Sequence, residues 1–537
     1  MSSSIESAFK ILQTNNGLPD ETLTLRKLLH KRFIELQVNK EEEPITIDDI
    51  LLTHNLFLTS SYKPFISTSS VYLKNEISQF NLGSYITIDL DNCFRGDFIH
   101  DMYLDVRFNA IGDKKNLGKD DELKYRYTPY PGIRMIEKIE LYLNGKKTDV
   151  YTQEDMLFYI NYELSNEKRK AFEECCGHYD SLESTYYSPD REHNEINHVK
   201  DNYQTFKCYQ EELHMTIPLL FWFNKYLEKS YPILKQDNVI MNNSRNHIKV
   251  WFSSLDKIIQ VGKYTSDDGI VDESTVNTPY FSTYTISQAN NKFNSRIEKP
   301  NINMSLYVNN IFVNDEVRNF YIDNIDMYMI STYQSFDVNI GNKTEYKIKD
   351  LNDMTPYIYF AFRSKDNEDS FENWYKFTCA KRKWHPIAVY NQTVIDQDEG
   401  QYQDTLQTNV FILGLKRSYY DIQYTPIKNF TLYFDTLPFI EHSNPTIYSK
   451  YLAQKKDDNY SYSSQNGINI LPFCRKFTDK DATGHINFSK IQEIILKWDF
   501  QDIALNKDFK IYFSGKKINL LSINDSTISM KWASYLA

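Results

Sequence analysis

From about residue 50 onward, apolar and polar residues alternate in short runs typical of half-buried β-strands. Three such runs lie early in the chain, SYITIDL at 84–90, MYLDVRF at 102–108 and KIELYL at 138–143. They are rich in β-branched and aromatic residues, which fit the pleated surface of a sheet. The third run ends at Asn144-Gly145, a pair that favours a two-residue hairpin turn. The pattern therefore predicts a protein built from short strands.

The strand-like runs fall into two successive series, each interrupted by long polar stretches at similar places. The further runs are 212–223, 239–252 and 258–264, then 304–313, 325–333, 357–362, 409–415, 429–437, 494–500 and 509–513. The polar stretches cover approximately 165–210, 265–300, 363–405 and 440–484. Because little helix separates the strands, we expect an all-β protein with two sandwich domains, not an α/β fold.

The beginning of the chain has a different character. Apolar residues recur at helical spacing in 5–13 and 21–38, which predicts one or two short helices. We therefore expect three parts: an N-terminal helical arm at 1–45, a first β domain at 46–297 and a second β domain at 298–537.

Composition supports a folded β protein and narrows its environment. Aromatic residues make up 15% of the chain, and they can fill a core although the mean hydropathy is only −0.56. The net charge of −11 does not indicate the excess of basic residues typical of proteins that bind nucleic acid, so we expect no direct binding to nucleic acid. The six cysteines form no CxxC pair, which favours reduced thiols. The first residues do not resemble a signal peptide, and the apolar run from Met215 to Phe223 is too short to span a membrane. We expect a soluble protein.

Catalytic motifs are missing from the sequence. It contains no HExxH, P-loop, GxGxxG or GxSxG pattern, so we expect no catalytic residues and no cofactor. His193 and His198, near His178 and the pair Cys175-Cys176, form the best metal candidate. Histidines five positions apart do not share a helix face, however, and a solvated polar loop is the preferred interpretation, so we expect no metal site.

Two other clusters also favour a structural interpretation. The basic run KRKW at 381–384 suits phosphate, but a short charged run is more often a solvated loop. The aromatic run LLFWFNKYL at 219–227 suits stacking on a sugar or base, yet such a run is more often a buried strand. Carboxylate pairs are too numerous in the sequence to single one out as a glycosidase couple.

Five segments in order carry a resemblance to a known family. The segments are DDILLTHNLFLTSSYKPF (48–65) leading to FRGDFIHDMYLDV (94–106), YTPYPGIRMIEKIELYLNGKKTDVYTQED (127–155), FWFNK (221–225), LYVNNIFVNDEVRNFYI (306–322) and TGHINFSKIQEIILKWDF (483–500). With these segments the chain resembles the major capsid proteins of the African swine fever virus-like (asfarvirus) group of nucleocytoplasmic large DNA viruses. The family-motif residues are His54, Lys63, Pro64, Phe65, Gly96, Asp97, His100, Asp101, Tyr130, Pro131, Gly132, Asn144, Gly145, Phe221, Trp222, Phe223, Asn224, Asn310, Phe312, Gly484, His485, Asn487 and Ser489.

The chain also departs from the family pattern. It is shorter than expected of the swine fever protein, chiefly in the first long polar stretch. Lys490 stands where the family has an arginine after the serine of G-H-I-N-x-S. We therefore expect a relative from another virus, in which individual loops differ.

The resemblance implies two tandem eight-stranded jelly rolls, a double jelly roll, with no enzymatic activity. Three copies would form a pseudo-hexagonal capsomer, and capsomers would tile an icosahedral shell. The implied partners are further copies of the chain, minor capsid and penton proteins, an internal membrane and a dedicated folding chaperone. The implied locations are the virion and the viral factory in the host cytoplasm.

Two other functions stay open at this point. One is a poxvirus-like double jelly-roll scaffold that forms a transient lattice on a membrane. The other is a carbohydrate-active β-sandwich enzyme, which would need two carboxylates about 5–10 Å apart in a cleft.

Overall fold

The fold is taken from a computed structural model of the chain. The residues that it describes are 68–77, 81–112, 123–179, 183–185, 198–200, 204, 206–233, 246–265, 280–293, 300–324, 327–391, 411–435, 437–456, 467–477, 483–502, 504–505, 507–524 and 527–530. The predicted arm at 1–45 lies outside these residues, as do His54, Lys63, Pro64 and Phe65.

The first series contains sixteen strands among the described residues. They are β1 Thr68–Ile77, β2 Tyr85–Asp89, β3 Phe98–Phe108, β4 Ile111–Gly112, β5 Lys124–Tyr127, β6 Ile136–Leu143, β7 Lys146–Thr152, β8 Glu183–Thr185, β9 His198–Lys200, β10 Tyr209–Gln210, β11 Leu213–Pro218, β12 Tyr231–Pro232, β13 His247–Phe252, β14 Ile259–Thr265, β15 Tyr280–Thr285 and β16 Ile302–Val313.

Eight of these strands form two antiparallel sheets. One sheet has the order β1-β16-β3-β11, and the other has the order β2-β13-β6-β7. Counted along the chain, the eight strands alternate between the sheets in the orders 1-8-3-6 and 2-7-4-5. This interleaving is that of a jelly roll, in which two Greek keys build one sandwich.

The second series contains twelve strands among the described residues. They are β17 Met327–Gly341, β18 Glu345–Ile348, β19 Met354–Ser364, β20 Cys379–Asn391, β21 Phe411–Tyr424, β22 Ile427–Phe434, β23 Leu437–Ser443, β24 Ile468–Pro472, β25 Ile486–Asn487, β26 Ile494–Phe500, β27 Phe509–Asn524 and β28 Thr527–Met530.

The second series repeats the topology of the first. Its sheets have the orders β17-β27-β19-β24 and β18-β26-β22-β23, again 1-8-3-6 and 2-7-4-5 along the chain. The chain therefore folds as two tandem jelly rolls, and the expected all-β double jelly roll is confirmed.

The strand β16 corrects the sequence-based grouping. Its residues were expected to open the second series, but it pairs with β1 and β3 of the first sandwich. The long strand covers the whole of β3, so its hydrogen bonds close the first sheet. We propose that the boundary between the domains follows Val313, later than the expected boundary at 297.

Helices fill part of the connections. They are α1 Pro131–Met135, α2 Gln153–Tyr162, α3 Asn166–Cys175, α4 Leu255–Ile258, α5 Ile286–Phe293, α6 Asp315–Asn324, α7 Lys365–Glu368 and α8 Leu452–Lys456, with 3-10 turns at Leu227–Lys229 and Phe488–Lys490 and a π turn at Ile447–Tyr451. Within the described residues, no helix is long and apolar enough to cross a membrane.

Two polar stretches that looked like loops contain regular structure. The helix α3 lies in the stretch at 165–210, and its first turn follows Ser165, a residue type favoured at helix N-termini. The hairpin β20–β21 begins in the stretch at 363–405 and pairs thirteen residues on each side. Both carry too many charged residues for hydrophobic periodicity to reveal them.

Alternate residues of β19 belong to two different cores. Ile358, Phe360 and Phe362 lie inside the second sandwich, whereas Tyr357 and Tyr359 pack with the core of the first. All five side chains are at most 3% exposed. Because side chains alternate across a strand, β19 is buried on both faces, and the two sandwiches share this buried boundary.

Candidate functional site

Three motif segments that are distant in the sequence meet at one end of the first sandwich. Asn310 Oδ1 accepts hydrogen bonds from the backbone N of Arg95 and of Gly96, both at 2.9 Å. A Cβ atom on Gly96 would lie only 2.9 Å from the carbonyl oxygen of Ile311. The glycine is therefore required for the close approach of two backbones.

Asp97 anchors the end of β16 from the same side. Its Oδ2 accepts from the backbone N of Val313 at 2.9 Å, and its own N donates to Ile311 O at 2.9 Å. The guanidinium of Arg318 is 3.7 Å from Oδ1. Phe312, in contrast, is 38% exposed and takes no part in this anchoring.

His100 and Asp101 extend the contacts to neighbouring segments. His100 Nδ1 lies 3.0 Å from the carbonyl oxygen of Phe223. Asp101 accepts from Tyr72 Oη at 2.7 Å and from Asn309 Nδ2 at 2.6 Å. We call the convergence of the segments 94–106, 221–225 and 306–322 the motif cluster. Its polar side chains form hydrogen bonds with backbone groups and with each other. These bonds hold the three segments in place and indicate a structural role.

The aromatic run in the motif cluster is buried, but it is not a strand. Phe221, Trp222 and Phe223 are 1%, 6% and 0% exposed, yet β11 ends at Pro218. The amide of Asn224 donates to Leu219 O at 2.5 Å, and its backbone N donates to Phe221 O at 3.0 Å. These bonds turn the chain, so the expected strand over this run is wrong although its burial is correct.

The Tyr130-Pro131-Gly132 segment turns the chain at its tyrosine, not at its glycine. The left-handed residue is Tyr130, with φ 52°, and Gly132 lies in α1. Tyr130 stacks on His178 with ring centroids 4.0 Å apart, and its hydroxyl donates to Glu173 at 2.9 Å. Gly132 is needed for space, because a Cβ there would lie 3.1 Å from Cys176 O.

The remaining motif residues hold turns. Asn144 and Gly145 have φ values of 50° and 72° and form the predicted hairpin turn between β6 and β7. In the last motif, Gly484 has φ 140°, and His485 precedes β25. Asn487 Oδ1 accepts from Ser489 N at 3.1 Å, and Ser489 Oγ accepts from Asp353 N at 3.0 Å.

The candidate metal ligand His193 and the side chains of His198 and of 381–384 lie outside the described residues. Among the described residues, no group of three or more His, Cys, Asp or Glu side chains could hold a metal ion.

A second set of polar side chains, which the sequence did not reveal, lies between the sandwiches. Glu163 follows α2 and has a fully buried side chain. It accepts from Lys225 Nζ at 3.0 Å, from Lys516 Nζ at 2.9 Å and from Tyr357 Oη at 3.0 Å. Burial alone would raise the pKa of Glu163, but the two ammonium groups outweigh it and hold the pKa at about 2. Glu163 of the first sandwich is thus bound to Lys516 and Tyr357 of the second, and Lys225 of its own sandwich adds a second positive charge.

Two aspartates accompany this ion pair. Asp155 accepts from Thr152 N at 2.7 Å and from Ser335 Oγ at 2.6 Å, and it also bonds Ser514. Asp149 accepts from the backbone N of Tyr333 at 3.2 Å. Burial raises the pKa of both groups, for Asp149 to about 7. Each aspartate therefore joins the first sandwich to strands of the second.

The helix α2 supplies the apolar part of the same boundary. Its Phe158 ring lies 5.7 Å from Tyr359 and 5.3 Å from Phe377, centroid to centroid. The hydroxyl of Tyr162 donates to Ile468 O at 2.6 Å, and Ser449 O lies 3.1 Å from it. We call α2, Glu163 and the groups that they contact in the second sandwich the junction.

A sequence signal for the junction existed. Thr152-Gln-Glu-Asp155 precedes an apolar run and has the spacing of a capping box, which indicates a helix start. The burial of Glu163 had no such signal, because its partners come from residues 62 to 353 positions away.

Curated proteins with similar sequences are viral capsid proteins. No protein-family model matches the chain. The major capsid protein of African swine fever virus (isolate Warthog/Namibia/Wart80/1980) is 19% identical, with 97% of this chain and 99% of the relative covered. Hexon protein p72 of the isolate Tick/Malawi/Lil 20-1/1983 is 20% identical with the same coverage. The chain is a relative of these major capsid proteins.

Solved structures of capsid proteins share its fold. The Faustovirus major capsid protein superposes with a TM-score of 0.64 at 17% identity, covering 95% of this chain and 100% of that one. A quasi-atomic model of the PBCV-1 virus capsid gives 0.56 at 12% identity, covering 89% and 100%. The expected relationship to the capsid-protein group is confirmed, and the relatives are structural proteins, not enzymes.

Proposed function

We propose that the chain is the structural major capsid protein of a large DNA virus and self-assembles into an icosahedral shell. Two observations agree in support of this proposal. The chain folds as two tandem jelly rolls, and 97% of it aligns with proteins named as major capsid proteins. The motif cluster and the junction contribute rigidity, which a repeating building block needs.

The assembly unit in this proposal is a homotrimer. Two similar sandwiches in each of three subunits give six similar corners, and near-hexagonal units tile a surface with a few repeated contacts. Exposed apolar side chains on the paired strands β1 and β16 offer contact surface, namely Val71, Tyr72 and Phe312 at 43%, 46% and 38% exposure.

Further partners complete the proposal. Minor capsid and penton proteins would fill positions that trimers alone do not, and an internal membrane would lie beneath the shell. A dedicated chaperone would assist folding, since pairing of strands distant in sequence is slow. Assembly would take place in the viral factory of the host cytoplasm.

Light scattering of the purified full chain, coupled to size exclusion, tests the assembly unit. We expect a particle of about 191 kDa, three times the 63.7 kDa subunit, and pseudo-hexagonal outlines in negative stain. A monodisperse monomer at micromolar concentration, even after coexpression with a chaperone, would count against the proposal. Presence in purified mature particles separates a capsid protein from a transient scaffold.

A further inference from the structure

A cavity of about 310 Å³ lies between the two sandwiches, beside the Glu163 ion pair. Its wall is mostly apolar and aromatic. One side comes from the end of β11 and the aromatic run at 219–227, and the other comes from β17 and β27. This size and this kind of lining are typical of sites for small apolar molecules. Buried residues of the wall include Leu219, Phe221, Trp222, Ile330, Tyr333 and Tyr357.

The charged part of the wall is predominantly positive. Its cations are Lys225 and Lys229 of the first sandwich and Lys476 and Lys516 of the second, and the only carboxylate among the lining residues described is Asp101. Asp101 is already hydrogen-bonded within the motif cluster. The chain as a whole carries a charge of −11, so this local excess is opposite in sign to the net charge. The wall therefore favours a negatively charged ligand.

The two ammonium groups beside Glu163 are incompletely hydrogen-bonded. Lys225 and Lys516 each donate one hydrogen bond, and both bonds go to the same oxygen of Glu163. Each ammonium carries three N–H groups, and the described residues offer neither of them a further acceptor. The two side chains line the cavity and are 25% and 13% exposed, so a ligand in the cavity can reach them.

One carboxylate cannot neutralise two ammonium groups, so the Glu163 ion pair keeps one uncompensated positive charge. Burial lowers the pKa of Lys516, and Glu163 only partly opposes this because the charge of Lys225 acts in the same direction as burial. Water in the cavity would accept hydrogen bonds but would bring no negative charge. Most of that water would face apolar walls, from which an apolar group displaces it favourably.

We propose that this cavity binds a small amphipathic monocarboxylate, a straight-chain fatty acid, with its carboxylate on Lys225 and Lys516 and its alkyl chain along the aromatic wall. A single negative charge matches the single uncompensated positive charge, and the two carboxylate oxygens can accept from both ammonium groups. The alkyl chain removes apolar wall surface from water. Because the two lysines belong to different sandwiches, the bound ligand links the domains and stabilises the folded chain by mass action.

Equilibrium dialysis of the purified full chain against radiolabelled decanoate tests the site. We expect saturable binding of one decanoate per chain, with a dissociation constant on the order of 0.1 mM. Decanol has the alkyl chain without the charge, and acetate has the charge without the alkyl chain. Each should therefore bind at least about tenfold more weakly than decanoate. Equal affinity for decanoate and either of these compounds would overturn the proposal.

The variant Lys516→Met tests the role of the charge. It leaves Glu163 and Lys225 as a one-to-one ion pair, so the chain should still fold, which circular dichroism checks. Its affinity for decanoate should fall at least about tenfold, whereas its affinity for decanol should stay within about twofold of the wild type. The matched control is Lys497→Met, which removes a strand lysine with a 48% exposed side chain that binds Glu345 outside the cavity and should leave decanoate binding unchanged.

The variant Ser331→Phe tests the location, because it adds a ring to the cavity wall and should weaken binding of decanoate and decanol alike. Unchanged decanoate binding by folded Ser331→Phe would overturn the assignment to this cavity. Absence of saturable decanoate binding in the wild type, or equal binding by Lys516→Met and Lys497→Met, would also overturn the proposal. None of these measurements depends on whether the chain assembles into a shell.

Discussion

Replacing Glu163 with glutamine should destabilise the chain far more than removing an ordinary ion pair. The variant keeps the size of the side chain but leaves Lys225 and Lys516, whose side chains are only 25% and 13% exposed, without their counter-charge. Both ammonium groups bond the same oxygen of Glu163, at 3.0 and 2.9 Å. Their nitrogens are therefore no more than about 6 Å apart, and at an effective dielectric constant near 20 they repel by roughly 3 kcal/mol.

The pKa of Glu163 gives a second measure of the same interaction. Its value of about 2 in the folded chain compares with 4.5 for a free glutamate. The difference corresponds to about 3 kcal/mol of stability, present above pH 4.5 and lost as the pH falls towards 2. Both routes agree with the roughly 3–5 kcal/mol expected when one partner of a buried ion pair is removed.

Urea unfolding followed by tryptophan fluorescence measures this loss at pH 7. The matched control is Glu345→Gln, which breaks the exposed pair with Lys497 at 3.1 Å and should cost less than about 1 kcal/mol. Adding Lys516→Met to Glu163→Gln should recover part of the stability, because one uncompensated cation disappears. If Glu163→Gln and Glu345→Gln shift the unfolding midpoint equally, the buried pair does not hold the sandwiches together as argued.

Three further predictions concern single positions. Gly96→Ala should cost about 1–3 kcal/mol in urea unfolding, because its Cβ would approach Ile311 O to 2.9 Å. Gly132→Val should reduce the yield of folded trimer in size exclusion, because its branched side chain meets Cys176 O, 3.1 Å from the Cβ position. Asp149→Asn should flatten the pH dependence of stability. Burial raises the pKa of Asp149 from 3.8 to about 7, so the wild type loses up to about 4 kcal/mol as the pH rises between those values.

Each of these predictions has a result that contradicts it. Gly145→Ala is the control for Gly96→Ala, because a Cβ at position 145 meets no atom within 4 Å and costs only the strain of φ +72°. Equal losses in the two variants would mean that space at Gly96 is unimportant. Normal trimer yield from Gly132→Val would show that the turn can adjust. For Asp149→Asn, an unfolding midpoint that varies between pH 5 and 8 as in the wild type would exclude this aspartate as the titrating group.

A strand was predictable from the sequence wherever one of its faces is buried and the other is exposed to solvent. The runs at 84–90 and 138–143 correspond to β2 and β6, because alternation with period two is the direct sign of such a strand. β16 was recognised as a strand but grouped with the wrong sandwich, since sequence proximity says nothing about which sheet supplies the hydrogen bonds. The strand β20 was missed because its charged residues hide the period, whereas the beginning of β21 lies in the predicted run at 409–415.

The residues of the candidate site could be identified from the sequence only where they belong to a short motif. Gly96, Asp97 and Asn310 were singled out by their motifs, although their contact with one another was not predicted, and the pairing of Glu163 with Lys516 had no motif at all. That ion pair depends on how two domains dock, and a lone glutamate after a helix has no pattern that signals burial.

The two-sided burial of β19 has a consequence during translation. The ribosome completes the first sandwich before β17 to β27 have emerged, and at about 5–20 residues per second the remaining 200 or so residues take roughly 10–40 s. During that interval the apolar side of α2, including Phe158, has no second sandwich to cover it. Nascent chains on neighbouring ribosomes could then aggregate through this exposed apolar surface of α2. A chaperone that binds the nascent chain on the ribosome would protect this surface during the interval. A chaperone that acts only on the released, full-length chain would arrive too late.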